Sequence, residues 1–202
     1  MTTQDVIDIM VWGSVAALLL AGLVALAAVL IRFGLVSLSE RFAVGLRAAL
    51  LPLAALTALI ATLSSLYLSE EASFIPCELC WFQRIAMYPL AAILIIAVLT
   101  RDKCVWRYAL PISLVGLGVS IYHYWIQVRP DDAPAACSVG VPCSVRYVDQ
   151  LGFVSIPWMA GSAFLLIAVL LVVERLSRGG TSDEATPSTD EPTTTGTKVS
   201  PY

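Results

Sequence analysis

This sequence is poor in charge. Only 13% of its 202 residues are Asp, Glu, Lys or Arg, against 58% hydrophobic ones, and a mean hydropathy of +0.83 lies outside the range of soluble globular domains. The net charge of −3, with much of the acid in the C-terminal tail, provides no basic surface for nucleic acid. The first ten residues hold Asp5 and Asp8 but no Lys or Arg. That is the wrong sign for the n-region of a secretory signal, so the first apolar run is expected to be a retained membrane span. There is no internal repeat. A haem-attachment C-x-x-C-H is missing, because Trp81 follows Cys80, and no dinucleotide-binding glycine pattern opens a soluble helix.

What is present is apolar runs of membrane-crossing length. Five stretches can span the roughly 30 Å hydrocarbon layer as helices: about Ile9–Ile31, Arg47–Leu68, Trp81–Thr100, Arg107–Gln127 and Val154–Val173. The expected fold is therefore an all-α integral membrane protein, a four-helix transmembrane bundle plus one extra N-terminal transmembrane helix. Three regions follow: 1–46 with the extra helix and its connection, 47–173 with the four-helix domain, and 174–202 as a tail. From Gly179 onward the chain is Ser, Thr, Pro, Asp and Glu with little to bury, the composition of a disordered segment.

Positive residues near span ends are retained in the cytoplasm and so orient the bundle. Arg32, Arg41 and Arg47 follow the first span, Arg101, Lys103 and Arg107 the third, and Arg175 and Arg178 the fifth. This places the N-terminus outside and the C-terminus inside a cell membrane. Trp12, Trp81, Trp106, Trp125 and Trp158 fall near span ends, as interfacial tryptophans do.

Cysteine placement carries the chemistry. On this topology Cys77, Cys80, Cys137 and Cys143 are external, where disulfides persist, and Cys104 is cytoplasmic, where thiols stay reduced. Cys77-Glu78-Leu79-Cys80 is a C-x-x-C opening the third span. Pro76 suits the first turn of a helix, so both thiols sit at the positive end of a helix dipole, which favours the reactive thiolate. Arg84 lies one turn deeper on the face of Cys80 and adds to that bias. An ionisable residue inside a span is costly and tends to be functional, although a snorkelling arginine is the plainer alternative. Cys137 and Cys143 enclose five residues of a loop, Val128–Phe153, rich in Pro and Gly. For the C-x-x-C the alternatives to redox are a structural bridge or a zinc half-site completed by Cys137, Cys143 and His123. His123, in the aromatic end of the fourth span, is a candidate cofactor contact or a simple interfacial residue. Glu78 is expected to be solvated, and Cys104 to be a reduced bystander.

Energetics require an electron acceptor. A very stable disulfide lies below about −300 mV and a strongly oxidising external thiol oxidase near −120 mV, a gap of roughly 8 kcal/mol at about 1.4 kcal/mol per 30 mV. Without a haem or dinucleotide motif, a lipid-soluble quinone reaching the membrane end of the C-x-x-C fits what remains.

The string Cys-Glu-Leu-Cys-Trp-Phe-Gln-Arg-Ile-Ala-Met-Tyr-Pro (Cys77–Pro89), the later cysteine pair and Gly-Phe-Val-Ser-Ile-Pro (Gly152–Pro157) together resemble the DsbB/BdbC disulfide bond formation proteins, over roughly Arg47–Val173. The five-residue spacing of the loop pair is nearer the BdbC branch. The resemblance implies a four-helix thiol:quinone oxidoreductase that re-oxidises a DsbA-like thioredoxin-fold oxidase and passes electrons to the membrane quinone pool, ubiquinone or menaquinone. It further implies that Cys137 is attacked by the partner, Cys143 passes electrons to Cys77, and Cys80 donates to the quinone beside Arg84. Two other readings stand beside it. The vitamin K epoxide reductase family has similar chemistry, but there the loop pair precedes the C-x-x-C, the reverse of the order here. A non-enzymatic membrane assembly factor with structural or metal-binding cysteines is the rival of a different class.

Overall fold

The computed structural model describes residues 2–35, 40–102, 104–132 and 141–179. These residues form five long helices: α1 (Thr3–Arg32), α2 (Glu40–Glu70), α3 (Glu78–Thr100), α4 (Trp106–Val128) and α5 (Ile156–Gly179). All five hold a stretch long and apolar enough to cross a membrane, so this is an all-helical, multi-pass membrane protein. No strand occurs among the described residues, only an isolated bridge between Gln150 and Val154. Cys137 and the tail beyond Gly179 lie outside the described residues.

Each helix differs from its apolar run at the ends, for local reasons. α1 begins six residues early because Thr2 and Asp5 form a capping box, with the Asp5 amide donating to Thr2 Oγ1 at 3.3 Å and the Thr2 amide donating to Asp5 Oδ2 at 2.7 Å. α2 starts at Glu40, seven residues before the apolar run. Pro52, expected near the start of its span, is therefore well inside the helix, which membrane helices tolerate when neighbours satisfy the freed backbone. α5 starts two residues later than expected, because Gln150 and Val154 pair around a tight turn with positive φ at Leu151 and Gly152.

Helices α2, α3, α4 and α5 close into a ring in that order, and α1 packs on the outside against α5. Lipid tails are as apolar as leucine, so close packing of small residues drives helix association in a bilayer. The half of the bundle away from Cys77 has that character, with Ala54, Ala58, Ala97 and Ala109 fully enclosed among Leu90, Leu94, Ile167, Leu170 and Leu171. Phe164 of α5 locks it: a methyl at Gly116 of α4 would overlap the Phe164 ring. Ser113 Oγ donates to the Phe164 carbonyl at 2.8 Å, tying the same two helices. At the Cys77 end the packing is thinner. Ile7 and Val11 of α1 meet Leu68, Val148 and Val154, and Gln150 Nε2 donates to Asp8 Oδ1 at 2.6 Å.

Candidate active site

Cys77 is the N-cap of α3. Its backbone is extended, and its sulfur accepts from the Cys80 amide at 3.4 Å, the bond that a serine or aspartate makes at ordinary N-caps. Pro76 thus stands just outside the helix and not in its first turn as the sequence suggested. For Cys77 alone the effect is the expected one: a sulfur that receives a helix-terminal N–H is favoured as thiolate, whereas among the described residues Cys80 receives no such bond. Glu78 in the first turn is exposed.

Cys77 and Cys80 are both free thiols, with sulfurs 3.1 Å apart and hydrogen-bonded. The hydrogen bond with Cys80 is the largest influence on Cys77 and holds its thiol well below the usual range. Burial opposes this, and His123 reinforces it through a hydrogen bond and its charge. His123 of α4 is 1% exposed, and its Nε2 lies 3.6 Å from Cys77 Sγ and 3.2 Å from the carbonyl oxygen of Cys143. A carbonyl only accepts, so Nε2 must carry the hydrogen, and that N–H faces the Cys77 sulfur as well. Cys143 is in a disulfide, and it is buried in one cluster with Cys77, Leu79 and Ile126.

The loop that brings Cys143 here is fastened to α4. Gln127 Nε2 donates to the Val145 carbonyl and Arg146 Nη2 to the Gln127 carbonyl, each at 3.2 Å. Tyr147 stacks on Phe74 with centroids 4.8 Å apart, joining this loop to the segment that leads into Cys77. Sequence inspection gave Gln127, Tyr147 and Phe74 no part in the site, and nothing in their local pattern marks them.

Cys80 also borders a second space. It lies at one end of a cavity of about 560 Å³ between α1, α2, α3 and α5, lined mainly by apolar side chains. Arg84 lines the same end, half-buried. Its Nη2 donates to the Ser65 carbonyl of α2 at 3.1 Å, and its guanidinium lies 5.4 Å from the centre of the Trp81 ring. Tyr88 reaches Ser65 Oγ at 3.3 Å, and the buried Gln83 donates to Ser120 of α4 at 2.9 Å. Gln83 was legible as a polar residue inside a span. His123 and Cys77 do not line this cavity; together with Cys80 they border a much smaller one beneath Val141, Pro142 and Val145.

Of the residues singled out in the sequence, Cys77, Cys80, Arg84, His123 and Cys143 are thus gathered at one end of the bundle. Cys104 is exposed and free, at the turn joining the far ends of α3 and α4. Cys77, Cys80 and His123 have donor atoms within 4.8 Å of one another, close enough to share a metal ion. Cys143, the fourth ligand a zinc site would draw on, is occupied by its disulfide.

Sequence comparisons identify the family. Residues 46–174 match the family described as Disulfide bond formation protein DsbB. The chain is 50% identical over 115 residues to Disulfide bond formation protein C of Bacillus subtilis, covering 56% of this chain and 83% of that protein. It is also 50% identical over 122 residues to Probable disulfide formation protein C of Halalkalibacterium halodurans (58% and 88%) and 48% identical over 118 residues to Probable disulfide formation protein of Oceanobacillus iheyensis (56% and 79%). No solved structure matches the chain.

Proposed function

This chain belongs to the DsbB family of disulfide bond formation proteins, and on that premise we propose that it re-oxidises an extracytoplasmic DsbA-like thioredoxin-fold oxidase and hands the electrons to a membrane quinone. Membership makes it a membrane oxidoreductase of disulfide bond formation. The finer reading is supported most by one observation: two sulfurs 3.1 Å apart look into different surroundings, Cys77 towards His123 and the Cys143 segment, Cys80 towards the apolar cavity. A dithiol so placed can take electrons on one side and release them on the other.

Electrons and protons balance as follows. A partner thiolate attacks Cys137 of a Cys137–Cys143 loop disulfide, the external pair that the sequence sets five residues apart and that the family resemblance implies. Cys143 leaves, the second partner thiol displaces Cys137, and the partner departs oxidised. The Cys143 thiolate then attacks Cys77 in the Cys77–Cys80 disulfide, Cys80 leaves, and Cys137 closes back on Cys143. The loop is again a disulfide, and the C-x-x-C carries two electrons and two protons. The N–H of His123 stabilises thiolate at Cys77 in both directions. Cys80 and Arg84 at the cavity end, with apolar walls behind them, suit a flat apolar ring whose oxygens gain negative charge on reduction. A quinone bound there accepts the two electrons and two protons, restoring the Cys77–Cys80 disulfide.

The positive-residue pattern supports a cell-membrane location with the redox end outside and α5 ending in the cytoplasm. The experiment is anaerobic: protein, reduced DsbA-like partner and a soluble quinone, with quinone reduction followed by absorbance. Reduction by wild type, and none by Cys80→Ser or Cys137→Ser, is expected. The donor cluster Cys77, Cys80 and His123 favours a metal-binding assembly factor as the second reading. Stoichiometric zinc retained through purification, with no quinone reduction, would make that reading the better one.

A further inference from the structure

The family match begins at residue 46, so α1 lies wholly outside it, yet α1 forms one wall of the cavity that holds Cys80 and Arg84. We propose that α1 builds a tail-binding cleft for the quinone, so that the polyprenyl chain lies between α1 and α2 and this chain selects long-tailed quinones over tail-less ones. The proposal rests on the quinone reading above.

The cavity extends well beyond a headgroup site. Its α1 lining runs from Ile9 to Leu20, roughly 16 Å of helix at about 1.5 Å per residue. The α2 lining opposite runs from Leu68 back to Leu53. Along this stretch α1 is held against α5 and hardly against α2. Near Cys77 it is fixed by Asp8 to Gln150 and by Ile7 and Val11 against Leu68, and further in by Ala21 in the main core. Between those points its packing partner is α5, and among the described residues its contact with α2 is slight.

The opening towards lipid is apolar. Leu56 and Ile60, which line the cavity from α2, are 51% and 55% exposed, and Ile9 on the α1 side is 59% exposed. Gly13 and Ala16 on α1 leave room between these walls, and a Cβ at Gly13 would meet nothing within 4 Å. One continuous space therefore leads from Cys80 and Arg84, the polar reacting end, to the bilayer along an apolar path. That polarity order is the one a polyprenyl quinone has along its own length, which favours it over a phospholipid, whose charged end would have to lie with the headgroups.

The test fills the cleft and compares two quinones with the same ring, one long-tailed and one without a tail, using the full-length protein in detergent micelles. In wild type the tailed quinone should have a kcat/KM at least about tenfold higher, since binding scales with buried apolar area. Gly13→Leu and Ala16→Leu should remove most of that preference by raising KM for the tailed quinone, with the tail-less quinone unchanged. That unchanged rate also reports that the variants are folded. Leu19→Ala, on the exposed face of α1, should alter neither.

A second readout is independent of turnover. A quinone carrying a photoreactive group on its tail should label α1 or α2 peptides, and excess tailed quinone should abolish the labelling where phospholipid does not. Absence of any tail preference in wild type would overturn the proposal, as would an equal effect of the α1 variants on both quinones, or labelling displaced by phospholipid. Failure of wild type to reduce either quinone would remove the quinone reading itself, a result distinct from all of these.

Discussion

The two sides of the C-x-x-C are built from different materials. The Cys77 side brings hydrogen-bonding and redox groups together: the His123 N–H, the Cys143 carbonyl that shares it, and a loop fastened by Gln127 and Arg146. On the Cys80 side there is one cation, Arg84, at the end of a long apolar cavity. Thiol exchange between protein sulfurs needs a stabilised thiolate and a partner held within reach. Electron release to a lipid-soluble acceptor needs access to the bilayer. The first turn of α3 satisfies both requirements by holding two sulfurs in contact at the boundary, Cys77 against the His123 and Cys143 side and Cys80 also bordering the apolar cavity.

The sharpest way to break this contrast is Cys80→Ser. It should abolish quinone reduction, a loss of at least about 10³-fold as for removal of a covalent nucleophile. Exchange between Cys77 and the Cys143 disulfide should remain, trapped as a mixed disulfide visible on a non-reducing gel. Arg84→Gln comes next, with a loss of about 10²- to 10³-fold in kcat for the quinone step and no change in the rate at which the partner reduces the C-x-x-C under stopped flow. Gly116→Ala probes packing alone. Overlap with Phe164 should cost about 1–3 kcal/mol, read as a lower melting temperature in detergent, with quinone preference and thiol exchange both retained.

The smallest effect is expected at His123. In His123→Ala the Cys77 pKa should rise, but it should stay below the ordinary thiol value, because the hydrogen bond with Cys80 is the larger cause of its depression. A raised pKa removes thiolate from the acid side first. The variant should therefore lose exchange rate mainly at low pH and approach wild type as pH rises, followed by the ultraviolet absorbance of the thiolate. A pH-independent loss would assign His123 to holding the Cys143 segment in place instead.

The five spans were legible because a bilayer demands about 20 consecutive apolar residues, and the sequence supplies five such runs. Helix ends were less so: the early start of α1 depends on the Thr2–Asp5 box, and the late start of α5 on the Gln150–Val154 turn. Cys77, Cys80 and Arg84 could be read as a group because they share one helix and its spacing. His123 could be suspected but not placed, since its contact with Cys77 bridges 46 residues of sequence. The cavity was invisible. It arises where α1 crosses α5 and leaves α2 uncovered, and no local pattern in Ile9–Leu20 encodes that. The extra span thus had no apparent role in the sequence but forms a wall beside the reacting cysteine.

The most direct measurement compares two electron donors, a DsbA-like partner dithiol and a small dithiol, in anaerobic quinone reduction by Cys143→Ser and Cys80→Ser. The two-sided arrangement predicts that Cys143→Ser fails with the partner but still reduces quinone when the small dithiol reaches Cys77, whereas Cys80→Ser fails with both donors. Quinone reduction by Cys80→Ser with either donor, or partner-driven reduction by Cys143→Ser, would contradict it.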